Sequence, residues 1–377
     1  MSNQAGGLEE INQDADERLR EKKVILVTGV DGYWGWRVAD ALCANERNHV
    51  IGIDADAPQE QIKGLDFIQA DIRNPLLVEL LRSEQVDSVC HLAFQESTRP
   101  SESAFDYNFM GTMKVFGACA EAGVRKIILK SSTAVYGAHP GNSAFLTEDH
   151  PLMGSRSYGT TRDLVEIEAF SDGFRYQNPQ TMLTILRFAN IVGPKAVTSL
   201  NRFLQEPFAP RLLGFDPLMQ VIHEDDVIEA IVFAVERDFP GVFNLAAVGP
   251  LPLSKLIGLA GKICIPVIHW FAYWGSGIMG ISAPVNRYLP IEPDYLRYNW
   301  VGDLAKMHEI MGFVPRYTAE EALRELAGLH HLGRFIPESA SLALDEERLR
   351  DTIDRRRRIR IQQTANLAEL GENQANE

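Results

Sequence analysis

The chain has 377 residues, of which 45% are hydrophobic and 23% charged, a composition typical of a globular protein with a large buried core. Its formal net charge of −14 disfavours a nucleic-acid partner, because such a partner requires a basic protein face. The four cysteines are widely spaced and form no CxxC pair. We therefore expect reduced thiols and a cytoplasmic protein.

The first predicted element is a strand that ends in a glycine-rich turn. The apolar run VILVTG contains several β-branched residues, which predicts a strand buried on both faces. A helical pattern begins a few residues later. Glycines at such a turn let the backbone approach a pyrophosphate, and the helix N-terminus offers free N–H groups to it. The predicted phosphate-binding turn comprises Gly29, Gly32, Tyr33, Trp34 and Gly35.

The next strand, HVIGID, ends in an acidic residue, Asp54, nineteen residues after Gly35. A carboxylate at this place accepts hydrogen bonds from the adenine ribose hydroxyls and repels a 2′-phosphate. Residues 54–61 contain no arginine or lysine, so the pattern favours NAD over NADP. The alternative is a structural glycine turn followed by a solvated aspartate.

Three more strands are predicted further along, at residues 66–70, 87–92 and 126–132, with helical stretches between them. Strands that alternate with helices imply a parallel sheet with right-handed crossovers. We therefore predict an α/β fold with a doubly wound parallel sheet of the Rossmann type.

A family resemblance is carried by nine motifs that occur in a fixed order: TGVDGYWG, DIR, HLAF, YNFMGT, SSTAVYG, SYGTTR, RFANIVGP, VIHEDDV and GFVPRYTAEEAL. Together they resemble the extended short-chain dehydrogenases/reductases, the NAD-dependent epimerase/dehydratase family, over roughly residues 23–328. The resemblance implies a smaller, partly helical C-terminal lobe that binds the substrate. It also implies further NAD contacts, which by motif fall at Asp71, Ile72, Leu92, Ala93, Asn108, Tyr158 and Arg162.

The same resemblance assigns the catalytic groups. Tyr158 matches the family's general acid/base, and Ser132 matches the hydroxyl that orients the substrate oxygen. The family places a lysine one helical turn after the tyrosine, where this chain has Arg162. A cation close to a phenol favours its ionised form, and positions i and i+4 share one helix face. We therefore predict that Arg162 lies beneath Tyr158 and lowers its pKa.

An arginine differs from a lysine at this position in two respects. Guanidinium is planar, and it cannot give up a proton to a relay. We therefore expect slower chemistry or weaker cofactor positioning than a lysine would give. The alternative is that Arg162 is a helix-surface residue beside an inert Tyr158.

Three further segments bear on the substrate. Nucleotide-sugar members of the family usually carry an arginine three residues before the histidine of VIHEDDV, where this chain has Met219 or Gln220, so a diphosphate contact is disfavoured. Arg187 and Asn190 follow a predicted strand and should border the substrate pocket. Residues 223–226 are rich in potential metal ligands, but they lie at a strand-to-helix junction, so we assign no metal.

The stretch 263–286 contains no acidic or basic residue other than His269. Prolines and glycines interrupt it, which argues against a helix that crosses a bilayer. We predict an apolar wall or lid over the substrate pocket. The alternative is contact with a membrane surface, assisted by the arginine run at 355–358.

The chain divides by pattern into four parts. We predict a flexible tail (1–21), an NAD-binding domain (22–193, completed by 219–246), a substrate lobe with its lid (194–334) and a charged extension (335–377). The expected partners are a small-molecule substrate, of apolar character, and a second copy of the chain. The leading function is NAD-dependent oxidation or epimerisation of a secondary alcohol or its ketone. The alternatives are a catalytically impaired NAD-binding sensor and a membrane-surface sterol or lipid dehydrogenase.

Overall fold

A computed structural model describes residues 22–58, 60–205, 208–268 and 291–331, together with the isolated positions 350, 353 and 357. The predicted N-terminal tail lies outside the described residues. So do residues 269–290 of the predicted lid and nearly all of the charged extension.

Thirteen strands are present among the described residues. They are β1 (Lys23–Thr28), β2 (Asn48–Asp54), β3 (Leu65–Gln69), β4 (Ser88–His91), β5 (Lys126–Ser132), β6 (Met182–Phe188), β7 (Asn190–Val192), β8 (Phe208–Leu212), β9 (Leu218–Met219), β10 (Val221–His223), β11 (Gly241–Leu245), β12 (Leu251–Pro252) and β13 (Ile263–Val267). The five strands predicted up to Ser132 are therefore all found, within one or two residues of their predicted bounds.

The α-helices in the described part of the chain are α1 (Tyr33–Cys43), α2 (Leu77–Ser83), α3 (Glu102–Phe105), α4 (Gly111–Ala122), α5 (Gly159–Gln177), α6 (Ser199–Gln205), α7 (Glu224–Glu236), α8 (Leu253–Leu259) and α9 (Ala319–His331). A π-helical turn, Asp106–Met110, joins α3 to α4, and a second, Met307–Met311, precedes α9. Short 3₁₀ turns occur at Thr133–Tyr136 and Pro293–Leu296. No helix in the described part of the chain combines the length and apolarity that a bilayer crossing needs.

Seven strands form one parallel sheet in the order β11-β6-β5-β4-β1-β2-β3. The chain builds outward from β1 to β3 and then returns to place β4 on the other side of β1. This reversal creates a topological switch point between β1 and β4, where parallel α/β sheets open a crevice for a ligand. The predicted doubly wound sheet is confirmed, and its last strand comes from the segment 219–246.

A separate apolar cluster supports the second lobe. It joins side chains from α6, α8 and α9 to residues that follow the main sheet, among them Phe203, Leu256, Trp300 and Leu323. The described part of the predicted lid, β13, pairs in parallel with β8. This lobe packs above the carboxyl ends of the main strands, so the site described below lies between it and the sheet.

Candidate active site

The glycine turn after β1 has the close geometry that a dinucleotide requires. Gly29 has φ +79°, which L side chains rarely adopt, and a Cβ there would lie 2.6 Å from the backbone N of Ala93. A Cβ on Gly35 would lie 1.9 Å from the carbonyl oxygen of Gly29. The turn therefore packs tightly against the start of α1 and leaves the helix N-terminus bare of side chains on that side. These residues fit a pyrophosphate at the switch point.

The two aromatic residues of the turn have different surroundings. The Tyr33 hydroxyl accepts a hydrogen bond from Arg37 at 2.9 Å, on the side of α1 that faces α7. The ring of Trp34 lies under the ammonium of Lys130, 5.1 Å from its Nζ. Trp34 thus connects the glycine turn to the end of β5.

Asp54 lies beside the glycine turn at the end of β2. Its Oδ2 accepts a hydrogen bond from the backbone N of Asp31 at 3.0 Å, and its Oδ1 accepts one from Ala55 at 2.8 Å. Burial raises the pKa of Asp54, while the two backbone donors oppose that rise. The carboxylate is therefore held by the turn itself, in the position from which it can meet a ribose.

We expect Asp54→Asn to weaken NAD binding about tenfold or more, because a charged hydrogen-bond acceptor is lost. The variant should also lose discrimination against NADP, since nothing then repels a 2′-phosphate. Fluorescence titration with NADH and NADPH measures both effects. Asp56→Asn, two residues further in an exposed position, is the matched control. A wild-type preference for NADPH would contradict the role of Asp54.

Two predicted contacts, Asp71 and Ile72, follow β3. Asp71 is paired with Arg73 at 2.7 Å, which lowers the pKa of this carboxyl. Ile72 has a buried side chain in the sheet core, and its δ-carbon would lie 2.7 Å from a Cβ on Gly111. The charges of Asp71 and Asp54 both raise the pKa of Tyr107, after burial as the largest cause, and the contact of Asp71 and Ile72 with NAD stays a prediction.

Leu92 and Ala93 follow β4 on the opposite side of the switch point. Their backbone N–H groups both donate to Thr28 Oγ1 at 3.1 Å. The same hydroxyl is bound by His91, whose pKa burial lowers to about 4, so this ring stays neutral. Both residues line the cavity described next.

Asn108 does not contact the crevice in the way the sequence predicted. Its side chain is fully buried, and it exchanges hydrogen bonds with the backbone of Gln95 at 2.8 and 3.0 Å. Its amide also donates to Asp163 at 2.8 Å. Asn108 therefore holds the segment after β4 against α5, because every polar atom of its amide is used in that contact.

A cavity opens at the carboxyl ends of β4, β5 and β6 and is closed by the second lobe. Most of its walls are apolar, with Phe94, Phe188, Leu200, Ile291 and Trp300 among them. The polar side chains that reach it include Ser132, Tyr158, Lys130, Glu96 and Glu292. The two predicted catalytic residues, Ser132 and Tyr158, thus line one cavity although they lie on different elements.

Tyr158 is the N-cap of α5, and its backbone is extended, with φ −108° and ψ 119°. The sequence pattern predicts a position inside the helix, one turn before Arg162 on the same face. Because the cap residue is not helical, the i, i+4 relation does not apply to its side chain. The start of α5 is also held by the segment after β4: Thr160 Oγ1 accepts from the backbone N of Ser97 at 2.8 Å.

Arg162 is directed away from the cavity. Its Nη2 donates to the carbonyl oxygen of Ser101 at 3.1 Å, and its Nε donates to Asp163 at 3.0 Å. The guanidinium also lies over the ring of Phe105, 4.7 Å from its centroid. Arg162 therefore fastens α3 to α5, and the predicted position beneath the phenol is wrong.

The pKa of Tyr158 is raised, which corrects the prediction that Arg162 lowers it. Burial is the largest cause, and the charges of Glu292 and Glu96 act in the same direction. A hydrogen bond with Ser199 and the charge of Arg202 oppose the rise. The phenol is therefore protonated at neutral pH in this arrangement.

Of the two residues predicted to border the substrate pocket, only Asn190 lines the cavity. Its amide donates to the carbonyl of Gln220 at 2.9 Å. Arg187 is not among the residues that line the cavity; it is 4% exposed and paired with Glu168 at 2.6 Å. Its Nη1 also donates to the hydroxyl of Tyr136 at 2.8 Å. The charge of Arg187 is therefore neutralised by Glu168 within the protein. Its position at a strand end does not predict this ion pair.

Sequence reasoning missed several polar residues of the cavity, among them Lys130, Glu96, Ser199 and Glu292. Lys130 could have been found, since it lies two residues before Ser132 on one strand and therefore on the same face. Ser199 and Glu292 carried no signal, because they come from the second lobe and reach Tyr158 through tertiary contact alone.

The sheet order, the glycine turn at the switch point and the cavity with its tyrosine and serine define an oxidoreductase of the Rossmann class. A family model described as the NAD-dependent epimerase/dehydratase family matches residues 25–246. The chain belongs to this family of enzymes, and its cofactor is NAD.

Similar proteins include an uncharacterized protein of Mycobacterium tuberculosis, 34% identical over 318 residues, which are 81% of this chain and 84% of the relative. A UDP-glucuronate 4-epimerase of Thermodesulfobacterium geofontis is 23% identical, over 79% of this chain and 93% of its own length. Among solved structures, the UDP-glucose 4-epimerase of Thermotoga maritima with UDP-glucose has a TM-score of 0.62 at 20% identity, covering 82% of this chain and 99% of that one. The similarity to the Thermotoga maritima structure shows that the two chains share a fold.

Proposed function

We propose that this protein oxidises or epimerises a secondary alcohol, or reduces the corresponding ketone, with Tyr158 and Ser132 as its catalytic groups. The observation that carries the proposal is that both hydroxyls line one cavity, which adjoins the glycine turn through Leu92 and Ala93. A cavity with apolar walls and two convergent hydroxyls suits a carbinol carbon and its oxygen.

Bound NAD supplies the hydride acceptor or donor of this chemistry. Tyr158, protonated at neutral pH, can donate its proton to the substrate oxygen when a ketone is reduced. In the reverse direction the phenol must first lose that proton. Ser132 holds the same oxygen by a hydrogen bond, and the apolar walls exclude water from it.

We further propose that the substrate is largely apolar and carries no diphosphate. The position at which nucleotide-sugar enzymes of the resembling family carry an arginine offers no charge here, since Met219 is buried. The amide of the adjacent Gln220 is used internally, donating to the carbonyl of Gly302 at 2.9 Å and accepting from its N–H at 2.8 Å. A diphosphate in this place would lack the charge-assisted contact that it needs.

The test is turnover by the purified protein with NAD on two panels, apolar secondary alcohols and UDP-hexoses. We expect NADH absorbance to appear with the first panel, and chromatography to show no epimer of the second. Epimerised UDP-hexose would overturn the substrate class while leaving the catalytic groups in place. Bound NAD without turnover of either panel would favour the sensor.

We further propose that the protein is cytoplasmic. The four cysteines, none of which forms a disulfide, favour the cytoplasm. The homodimer and the membrane contact stay predictions from sequence; light scattering tests the first, and liposome co-sedimentation tests the second.

A further inference from the structure

Lys130 is a cation in the candidate active site to which neither the motif pattern nor the proposed mechanism gives a role. It lies on β5 two residues before Ser132, so both side chains leave the same face of the strand. Its side chain lines the cavity together with Tyr158 and Ser132. The Nζ of Lys130 lies 5.1 Å from the ring centroid of Trp34, a residue in the first turn of α1.

The ammonium of Lys130 has no hydrogen-bond or ion-pair partner among the described residues, in contrast to a lysine earlier on the same strand. Lys126 donates to three carbonyl oxygens at 2.8–3.1 Å and pairs with Asp238 at 2.9 Å. Burial lowers the pKa of Lys130 and the charge of Glu96 opposes this, but no ion pair joins these two described residues. The ring of Trp34 is the cation–π contact of this ammonium, but a ring accepts less from it than an oxygen does, so burial of the ammonium is costly unless a ligand supplies hydrogen-bond acceptors.

The location of this ammonium indicates which ligand group it meets. The glycine turn marks the place of the pyrophosphate, and the hydroxyls of Ser132 and Tyr158 mark the place of hydride transfer. Lys130 lies between the two. The part of NAD that joins pyrophosphate to nicotinamide is the nicotinamide ribose with its phosphate.

We propose that Lys130 binds the nicotinamide half of NAD and provides the site with the cation that Arg162, fastened to Ser101 and Asp163, does not provide. This inference rests on the proposed function for the place of hydride transfer. Lys130 acts as a binding and positioning residue: its ammonium donates to ribose or phosphate oxygens, and its charge lies near the ring that becomes cationic on oxidation.

Two consequences follow from the charge. Loss of the ammonium removes charge-assisted hydrogen bonds to the cofactor, so the affinity for NADH should fall about tenfold. The ammonium repels the positive ring of NAD⁺ but not the neutral ring of NADH, so the affinity for NAD⁺ should fall less. The ratio of the two dissociation constants therefore changes, which a purely structural role of Lys130 would not cause.

The experiment is fluorescence and calorimetric titration of the full chain with NADH and NAD⁺, free of any substrate. Lys130→Met removes the charge at similar volume, and Lys130→Gln is a second neutral variant in case one of them folds poorly. Lys130→Arg restores a cation and should recover most of the NADH affinity. Lys114→Met, on the exposed side of α4, is the matched control and should bind as the wild type does.

Neutral variants that fold and bind NADH as tightly as the wild type would overturn the inference. An equal loss of affinity for NADH and NAD⁺, not recovered in Lys130→Arg, would also overturn it, since packing and not charge would then be responsible. Either failure is distinct from failure of the proposed function, because the catalytic role of Tyr158 is decided by turnover and not by cofactor binding.

Discussion

Replacing Tyr158 by phenylalanine should lower turnover by about 10²–10⁴-fold, the range that positioned general acid–base catalysis contributes. The ring itself stays, so the cavity wall keeps its shape and only the hydroxyl is lost. Tyr158 does not belong to the glycine turn, so NADH affinity should change little. Steady-state kinetics on the substrate found in the alcohol panel, together with NADH titration, measures the two quantities.

The pH dependence should report the same group. Burial raises the pKa of Tyr158, so the proton-donating form persists up to higher pH than in a free tyrosine. Ketone reduction should therefore hold its rate as pH rises and fall once pH passes the raised pKa. Alcohol oxidation needs the phenolate and should rise over the same range. Both limbs should be absent from the residual activity of Tyr158→Phe.

A matched control exists on the same helix. Tyr176 is 90% exposed near the end of α5, so Tyr176→Phe should leave turnover and its pH dependence unchanged. If Tyr158→Phe kept wild-type turnover, the phenol would have no part in the mechanism, and a different proton donor of the cavity, such as Glu292, would have to be sought.

Replacing Arg187 by methionine should destabilise the protein by about 3–5 kcal/mol, because it leaves a buried carboxylate without its counter-charge. Arg187 contacts Glu168 through two nitrogens, Nε at 2.9 Å and Nη2 at 2.6 Å, and Glu168 is 2% exposed. The substitution also removes donors from the hydroxyl of Tyr136 and from the carbonyl of Glu148. The urea midpoint of unfolding measures the loss.

Two further variants separate charge from packing in this prediction. Arg187→Met combined with Glu168→Gln should recover part of the lost stability, since the unpaired charge is then removed. Arg175→Met breaks an exposed pair with Asp172 and should cost less than about 1 kcal/mol. A loss in Arg187→Met no larger than that of Arg175→Met would contradict a buried ion pair. Turnover lost without a change in stability would return Arg187 to the substrate site.

The local pattern of apolar residues in the sequence was sufficient to predict the first five strands of the main sheet. Strands β1, β2, β4 and β5 are short, mostly apolar runs, and their burial on both faces leaves little freedom in their placement. The glycine turn could also be predicted from the sequence, because the close contact between Gly35 and Gly29 leaves no room for a side chain. Parallel strands bring their carboxyl ends to one edge, so the sequence also determined that Ser132 and Leu92 would share a crevice.

The direction of the charged side chains was decided by tertiary structure. Arg162 was assigned to Tyr158 by helical spacing, but the tyrosine caps α5 in an extended conformation, and the guanidinium binds the carbonyl of Ser101. The position of Arg187 at a strand end predicts a place in the pocket, but its guanidinium forms an ion pair with Glu168 on α5. A long cationic side chain can reach partners several ångströms from its backbone, and those partners come from segments distant in sequence. Spacing along the chain determines the backbone position of such a side chain, whereas its partners in the folded protein determine where the charged group lies.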